Sequence, residues 1–596
     1  MHRNASFRGE PAPLLRSTAS LVSRLALALV GALASAAAAQ QVEVEEFTLD
    51  NGMKFLLVPR SDQPNVIAAG WLAKVGSVNE RPGITGISHF FEHMMFKGTN
   101  TIGTRAPEED EAFRMRQKEI RDRINALVWG EQYARYFRGE IDDPWNAAND
   151  TPELSRLRAE LKQLMDDHRE VIVKDEFDAV YARMGGSGMN AFTSHDLTFY
   201  FVNVPSNKFE LWAWMESDRL DDSVFREFYA ERDVVHEERR LRTESTPTGM
   251  FQEQFDSLFW VSSPYSWPVI GWTSDLNSYT KEEAWRYWDV YYRPNNLVGV
   301  IVGDFDPIEA KATIERYFSR LRRGESDPPP VVTLEVKQIA EQRMNAECDC
   351  QPQVEVRYHT VPFNHADSFA LEVLAEILNG RTGRLYKGLV EGREIASSAR
   401  AGQEGRKYAG AFSFDAEVRG DATPAMLEEA WYEILAELQE NLVPAEELQK
   451  VKNRVAADNF RRLQSNFFLL VQLGYFEGLG DWRYINEAPR RLQAVTAEDL
   501  RRVAQKYFAP TNRSVATYLR KAGAAPVDEE LAALDARAQG MVRQMLAQIA
   551  AIEDEAMLAE MVMRLEAESS RVPPDFKPAF DIVLRRAKAR LAELGG

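Results

Sequence analysis

The sequence predicts an α+β fold made of two duplicated halves, with extra helical material in the first half and at the C-terminus. Three observations carry this. At 596 residues the chain is too long for a single core. Its segments Thr280–Asn296 and Thr496–Asn512 match at a constant offset of 216. The matched positions include Arg286/Arg502, Tyr291/Tyr507, Pro294/Pro510 and Asn296/Asn512. Each copy reads as a Thr-capped helix followed by a Pro-Asn turn. An apolar strand, Leu297–Val302, follows the first turn, and the more polar Arg513–Tyr518 follows the second. A repeat of this length implies two similar halves.

The first 39 residues stand apart. Arg3, Arg8, Arg16 and Arg24 are opposed only by Glu10, and the run Leu25–Ala39 carries no charge. Ala37-Ala38-Ala39 fits a small-residue cleavage site, so residues 1–39 are expected to be a secretory signal peptide. A mitochondrial presequence is the competing reading. Export would make the protein periplasmic or secreted. Removing four arginines and one glutamate takes the net charge from −19 to −22, which argues against nucleic acid as a partner. No later stretch is long enough to span a membrane. Hydrophobic residues at 45% and charged residues at 27% are ordinary for a soluble globular chain.

Next comes Gly86-Ile-Ser-His89-Phe-Phe-Glu92-His93-Met-Met-Phe-Lys-Gly98. Positions i and i+4 share a helix face, so His89 and His93 can reach one metal ion. Glu92 lies close enough to that face to act on a water held by the metal. His-x-x-Glu-His is the inverted form of the zinc-peptidase helix. With only eight histidines in the chain, this pairing stands out. The competing reading is an amphipathic core helix with two satisfied histidines.

Gly98 closes this helix, and Gly380 closes a comparable one, Phe369–Gly380. That offset is 282, so the first half carries 66 additional residues before Pro294. They fall on two charged, helix-favouring runs, 108–138 and 152–174, separated by the turn-rich Asp142–Asp150. A helical hairpin is therefore expected within 102–183.

A zinc peptidase needs three protein ligands and an open position. The acidic candidates lie on 221–242, read as a helix. At about 100° per residue, Val224, Phe228, Glu231, Val235 and Glu238 share its inward face. Glu237 points away. Buried carboxylates need a cation or a metal, and Arg232 and Arg239 sit beyond the edge of the face.

With this spacing the chain resembles the pitrilysin/insulinase family of zinc metallopeptidases, nearest its shorter bacterial and mitochondrial-processing-peptidase branch. The resemblance runs from Val42 to about Lys521. It rests on His89–Thr99 and Glu231–Glu238, supported by Met189–Thr193 and Pro264–Gly271. It implies that each half is a mixed or antiparallel β-sheet packed with helices, the two forming a clamshell. It also implies that His89, His93 and Glu238 bind one Zn²⁺ per chain, that Glu92 is the general base, and that Glu231 supports the site. Asn190 and Ala191 would lie on an edge strand that binds extended peptide. His195 follows that strand and reads as a surface or core histidine.

On this reading, 40–325 is the catalytic half, 326–332 a linker with Pro328-Pro329-Pro330, 333–522 a degenerate second half, and 523–596 a helical extension with a break at Pro573-Pro574. The second half cannot repeat the chemistry, because His89, Glu92 and His93 become Leu371, Leu374 and Ala375, and Glu238 becomes Arg454. Active family members also use an arginine and a tyrosine from a C-terminal half to hold substrate. Here Val390 and Ser397 take those positions, with Arg384 and Arg393 nearby. The expected function is zinc-dependent hydrolysis of peptides, completed by a homologous partner subunit. The alternative is a non-catalytic subunit that binds or scaffolds polypeptide. Cys348 and Cys350, in Cys-Asp-Cys, are expected to be non-catalytic; two residues is a tight spacing for a disulfide.

Overall fold

The computed structural model describes residues 41–523 and, beyond them, 528–594 except 533, 535, 551, 553, 570, 571, 574 and 575. The expected signal peptide, 1–39, and Pro574 of the expected C-terminal break lie outside the described residues. Residues 41–44 form no helix or strand.

The first sheet contains β1 (Glu45–Thr48), β2 (Lys54–Pro59), β3 (Val66–Ala73), β4 (Ser187–Thr193), β5 (Thr198–Pro205) and β6 (Leu297–Gly303), in the order β1-β2-β6-β3-β5-β4. The second contains β7 (Gln342–Cys348), β8 (Gln353–Thr360), β9 (Ala396–Gly405), β10 (Gly410–Val418) and β11 (Arg513–Arg520), in the order β7-β11-β8-β10-β9. Apart from β1, the two orders are the same. Each sheet has one parallel pair, β2 with β6 and β7 with β11, and is otherwise antiparallel. The fold is α+β in two like halves, as the repeat requires.

The repeated helices show why the match is so regular. Lys281–Tyr291 starts in a capping box in which Glu283 N–H donates to Thr280 Oγ1 at 3.3 Å and Thr280 N–H donates to Glu283 Oε2 at 3.0 Å. Ala497–Tyr507 repeats it with Thr496 and Asp499, at 3.1 Å both ways. Each satisfies orphan helix donors reciprocally.

β6 is buried along its whole length, which explains its unbroken apolar run. A helix from the second half, Asn466–Leu479, lies against the first sheet and the strand end before it. Side chains at Gly474 and Gly478 would collide with Phe199 and Leu197. Glu477, 2% exposed, accepts from Lys54 at 2.9 Å and Lys74 at 2.8 Å. The two halves are thus held together by packing and by a partly buried charge cluster.

Between the motif helix and β4, the helices Pro107–Leu127 and Pro152–His168 pack on each other around Ile120, Ile124, Leu154, Leu157 and Leu161. Asp110 ties this hairpin to the main core, accepting from His168 Nε2 at 2.8 Å and Arg226 Nε at 2.7 Å. Residues 322–341 carry no helix or strand, and Glu335 pins this strap by accepting from the backbone N–H of Val261 and Ser263 at 3.0 and 2.9 Å. Cys348, at the end of β7, is joined to Cys350 as a disulfide. The C-terminal helices Ala536–Ala550, Glu555–Glu568 and Lys577–Leu594 share a small core including Val542, Leu558, Val562 and Val583.

One element differs from expectation. The segment 221–242 is not a single helix. A helix ends at Asp221, the chain turns through 222–227, and a new helix runs Phe228–Arg239 before a π-turn at Arg240–Glu244. Val224 is therefore off the helix. The cause is Arg226, 1% exposed, whose guanidinium donates to the carbonyls of Lys97, Thr99 and Ile102 at 2.7, 2.9 and 3.1 Å. Turning it inward leaves Phe225 and Glu227 at φ of +49° and +57°, a strained conformation for residues other than glycine.

Candidate metal centre

The motif helix runs Ile87–Met94. Phe90 and Phe91 face the core, where Phe90 meets Phe228 edge-on at 4.8 Å and Phe91 meets Phe225 at 5.1 Å. Its start is held by Glu80, whose two oxygens accept from Gly86 and Ser88 N–H at 2.8 Å each. Gly86 adopts φ +86°, and a side chain there would strike the Ile270 carbonyl. That close approach explains why the Pro264–Gly271 segment accompanies the motif.

With the apolar side committed to the core, His89 and His93 lie side by side, their rings 4.8 Å apart. The helix Phe228–Arg239 brings Glu238 to them. Glu238 Oε2 is 3.6 Å from His89 Nε2 and 3.3 Å from His93 Nε2. Among the described residues these three form the one cluster of metal-binding side chains.

The donor chemistry tests whether a cation fits. His93 Nδ1 donates to Glu231 Oε1 at 2.9 Å, so neutral His93 points a lone pair from Nε2 at the Glu238 carboxylate. Two acceptors facing each other repel unless a metal ion, or a proton on Nε2, lies between them. Ligands at about 2.0–2.2 Å from a tetrahedral Zn²⁺ stand roughly 3.3–3.6 Å apart, so the two contacts of Glu238 match that spacing. Arg232 and Arg239 do not neutralise the acids: Arg239 is paired with Glu253, and Arg232 contacts exposed Asp233. Glu237 points outward and pairs with Arg240.

Burial, together with the charge of His93, pulls His89 down to about 4. Burial also opposes protonation of His93, but hydrogen bonds to Glu231 and Glu238 outweigh it and push His93 up to about 9. His93 therefore holds a proton at neutral pH, which a metal ion bound at Nε2 would have to displace. Apparent zinc affinity is expected to rise about tenfold per pH unit from pH 6 to 8 and to flatten above 9. Competition titrations against a fluorescent chelator measure that slope; a flat profile would contradict it.

Glu92 lies beside these three side chains. Burial raises its pKa, and Thr193 Oγ1 donates to its Oε2 at 2.6 Å. Thr193 ends β4, the outermost strand of the sheet, which also carries Asn190 and Ala191. A cavity of about 330 Å³ opens here, lined by Glu92, His93, Phe96, Phe177 and Asn190 among others. Phe177 comes from the inserted region. His195 instead hydrogen-bonds Ser77 Oγ through Nδ1 at 2.8 Å, and burial holds its pKa well below the usual range.

Glu231 links His93 to Lys97, whose ammonium contacts Glu231 Oε2. Glu231→Gln is expected to weaken zinc binding about 10–100-fold while leaving the fold intact, because the supporting carboxylate sets the imidazole's tautomer. Isothermal titration measures it. Sequence reasoning passed over Lys97, Thr193, and Arg242, whose guanidinium contacts Glu238 Oε1. Lys97 and Arg242 left a readable signal, lying four residues beyond His93 and Glu238 respectively.

In the second half, Leu371, Leu374 and Ala375 are buried on the helix Ser368–Leu378, and Arg454 donates to Glu376 at 2.6 Å. Val390 packs partly buried against the second core, and Ser397 lies exposed on β9. Arg384 is paired with Glu447 and Arg393 with Glu433.

Comparisons agree with this asymmetry. Residues 57–110, with the histidine motif, match a family model described as Insulinase (Peptidase family M16), and 278–455 match one described as Peptidase M16 inactive domain. The zinc protease PqqE of Helicobacter pylori is 26% identical over 80% of this chain and 92% of the relative. The chain belongs to the pitrilysin/insulinase family. In fold it is similar to the crystal structure of a protease from Helicobacter pylori, at 24% identity and a TM-score of 0.65 over 80% of this chain and all of that one. It is likewise similar to the periplasmic protease PqqL from Escherichia coli, at 18% identity and a TM-score of 0.59, covering 82% of this chain and 49% of that one. These neighbours share the two-sheet clamshell, and the relatives named in the comparisons are largely zinc proteases.

Proposed function

We propose that the chain is an exported zinc endopeptidase that hydrolyses peptides or unfolded polypeptide segments, in the periplasm or outside the cell, and that a homologous partner subunit completes its substrate site. The observation that carries the reading is the convergence of His89 Nε2, His93 Nε2 and Glu238 Oε2, with Glu92 and the outer strand β4 alongside. Bound zinc would lower the pKa of a water and polarise the scissile carbonyl. His89, His93 and Glu238 would hold one ion per chain. Glu92 takes a proton from water at Oε1 while Thr193 holds Oε2, then returns that proton to the leaving amine. Its burial-raised pKa suits both steps. The free edge of β4 at Asn190 and Ala191 aligns an extended backbone by adding a strand.

Two points support a partner. Val390 and Ser397 stand where an arginine and a tyrosine would meet substrate, and the chain spans only 49% of PqqL, about one half of that longer polypeptide. Among the described residues no helix is long and apolar enough to cross a membrane.

The test is peptide hydrolysis by the purified chain, metal-stripped and reloaded, with and without the co-purifying partner. Zinc-restored activity that rises at least tenfold with the partner is expected. Full activity as a monomer or homodimer would contradict the partner requirement. Zinc-free protein that still binds peptide would select a scaffolding role instead.

A further inference from the structure

The interface between the inserted hairpin and the helix bearing Glu238 contains more buried positive than negative charge. Arg121, on the hairpin, is 3% exposed, and Arg232, beside Glu231, is 7% exposed. Both guanidiniums reach the same acceptor, the carbonyl oxygen of Asn277. Both also face the ring of Tyr229, with each guanidinium carbon 5.9 Å from its centre. Lys281, 8% exposed, has its ammonium 5.7 Å from that ring.

Like charges converge in a dry place only if something negative offsets them. The nearby acids do not suffice. Asp150 is paired with Arg158 at 2.8 Å, and Asp122 and Glu282 share Lys118 at 2.7 Å each. Asp233 meets Arg232 at 3.3 Å, but from a side chain 62% exposed. Cation–π contact with Tyr229 offsets part of the charge and satisfies no N–H.

Buried donors without an acceptor in this region include Arg121 Nε and Arg232 Nε. Unpartnered buried donors are rare and call for a partner.

We infer that Arg121 and Arg232 form a binding site for a small inorganic anion of chloride's size, which braces the inserted hairpin against the helix that carries Glu231 and Glu238. The site is separate from the metal centre and has no counterpart in the second half, which lacks the hairpin. It makes stability responsive to anion type rather than to ionic strength alone.

The test compares thermal unfolding of the full chain in sodium chloride and sodium gluconate at equal ionic strength. Chloride is expected to raise the midpoint by a few degrees in a saturating manner, and Arg121→Gln and Arg232→Gln are expected to lose that response. Crystals grown in bromide should show anomalous scattering between the two guanidiniums, which requires no variant to fold. Equal midpoints in the two salts, a chloride response retained by both variants, or the absence of bromide at the pair would overturn the inference.

Discussion

Glu92→Gln is expected to keep its zinc and to lose peptide hydrolysis by about 10²–10⁴-fold. The substitution preserves size and the hydrogen bond from Thr193 Oγ1, which an amide oxygen also accepts. It removes the carboxylate proposed to take up and release the proton. His89, His93 and Glu238 remain, so metal content should stay at one zinc per chain. A fluorogenic peptide and elemental analysis of the same preparations give both numbers. A variant with half the wild-type rate would show that another group accepts the proton. Thr193→Val provides a graded comparison: Glu92 keeps its carboxylate but loses the contact that fixes Oε2.

Much of this arrangement was legible in the sequence because it is periodic or repeated. The i, i+4 spacing of His89 and His93 needed only helix geometry. Glu231 and Glu238 were found because two acids fell on an apolar face, and the structure brings both to the histidines. The duplication emerged from Thr280–Asn296 and Thr496–Asn512, whose capping boxes and turns impose the same local chemistry twice. Local periodicity could not supply contacts made across the fold. Thr193 reaches Glu92 from 101 residues away. Arg226 reads in sequence as one more charged residue, yet it is buried, breaks the helix that periodicity extended back to residue 221, and holds the loop after the motif. A helix-period pattern persists across such a break because its apolar residues stay on the core side.

The hairpin shows the same division. Its charged, helix-favouring runs marked two helices, and the structure gives them a small core of their own. Its relation to the catalytic residues was not readable. That relation depends on Asp110 meeting Arg226 and on Phe177 reaching the cavity beside Glu92. The Arg121–Arg232 pair likewise exists only in three dimensions, because the two residues lie on elements that the chain brings together by folding.

Adjacent carboxylates allow the central claim to be tested within one turn of helix. Glu238 faces the histidines, whereas Glu237 faces solvent with its side chain 61% exposed. Zinc content after exhaustive dialysis, measured for wild type, Glu237→Ala and Glu238→Ala, is the most direct measurement. One zinc per chain is expected in wild type and Glu237→Ala, and little or none in Glu238→Ala, with peptide hydrolysis following the metal. Full zinc retention in Glu238→Ala, or its loss in Glu237→Ala alone, would contradict the three-ligand centre proposed for this chain.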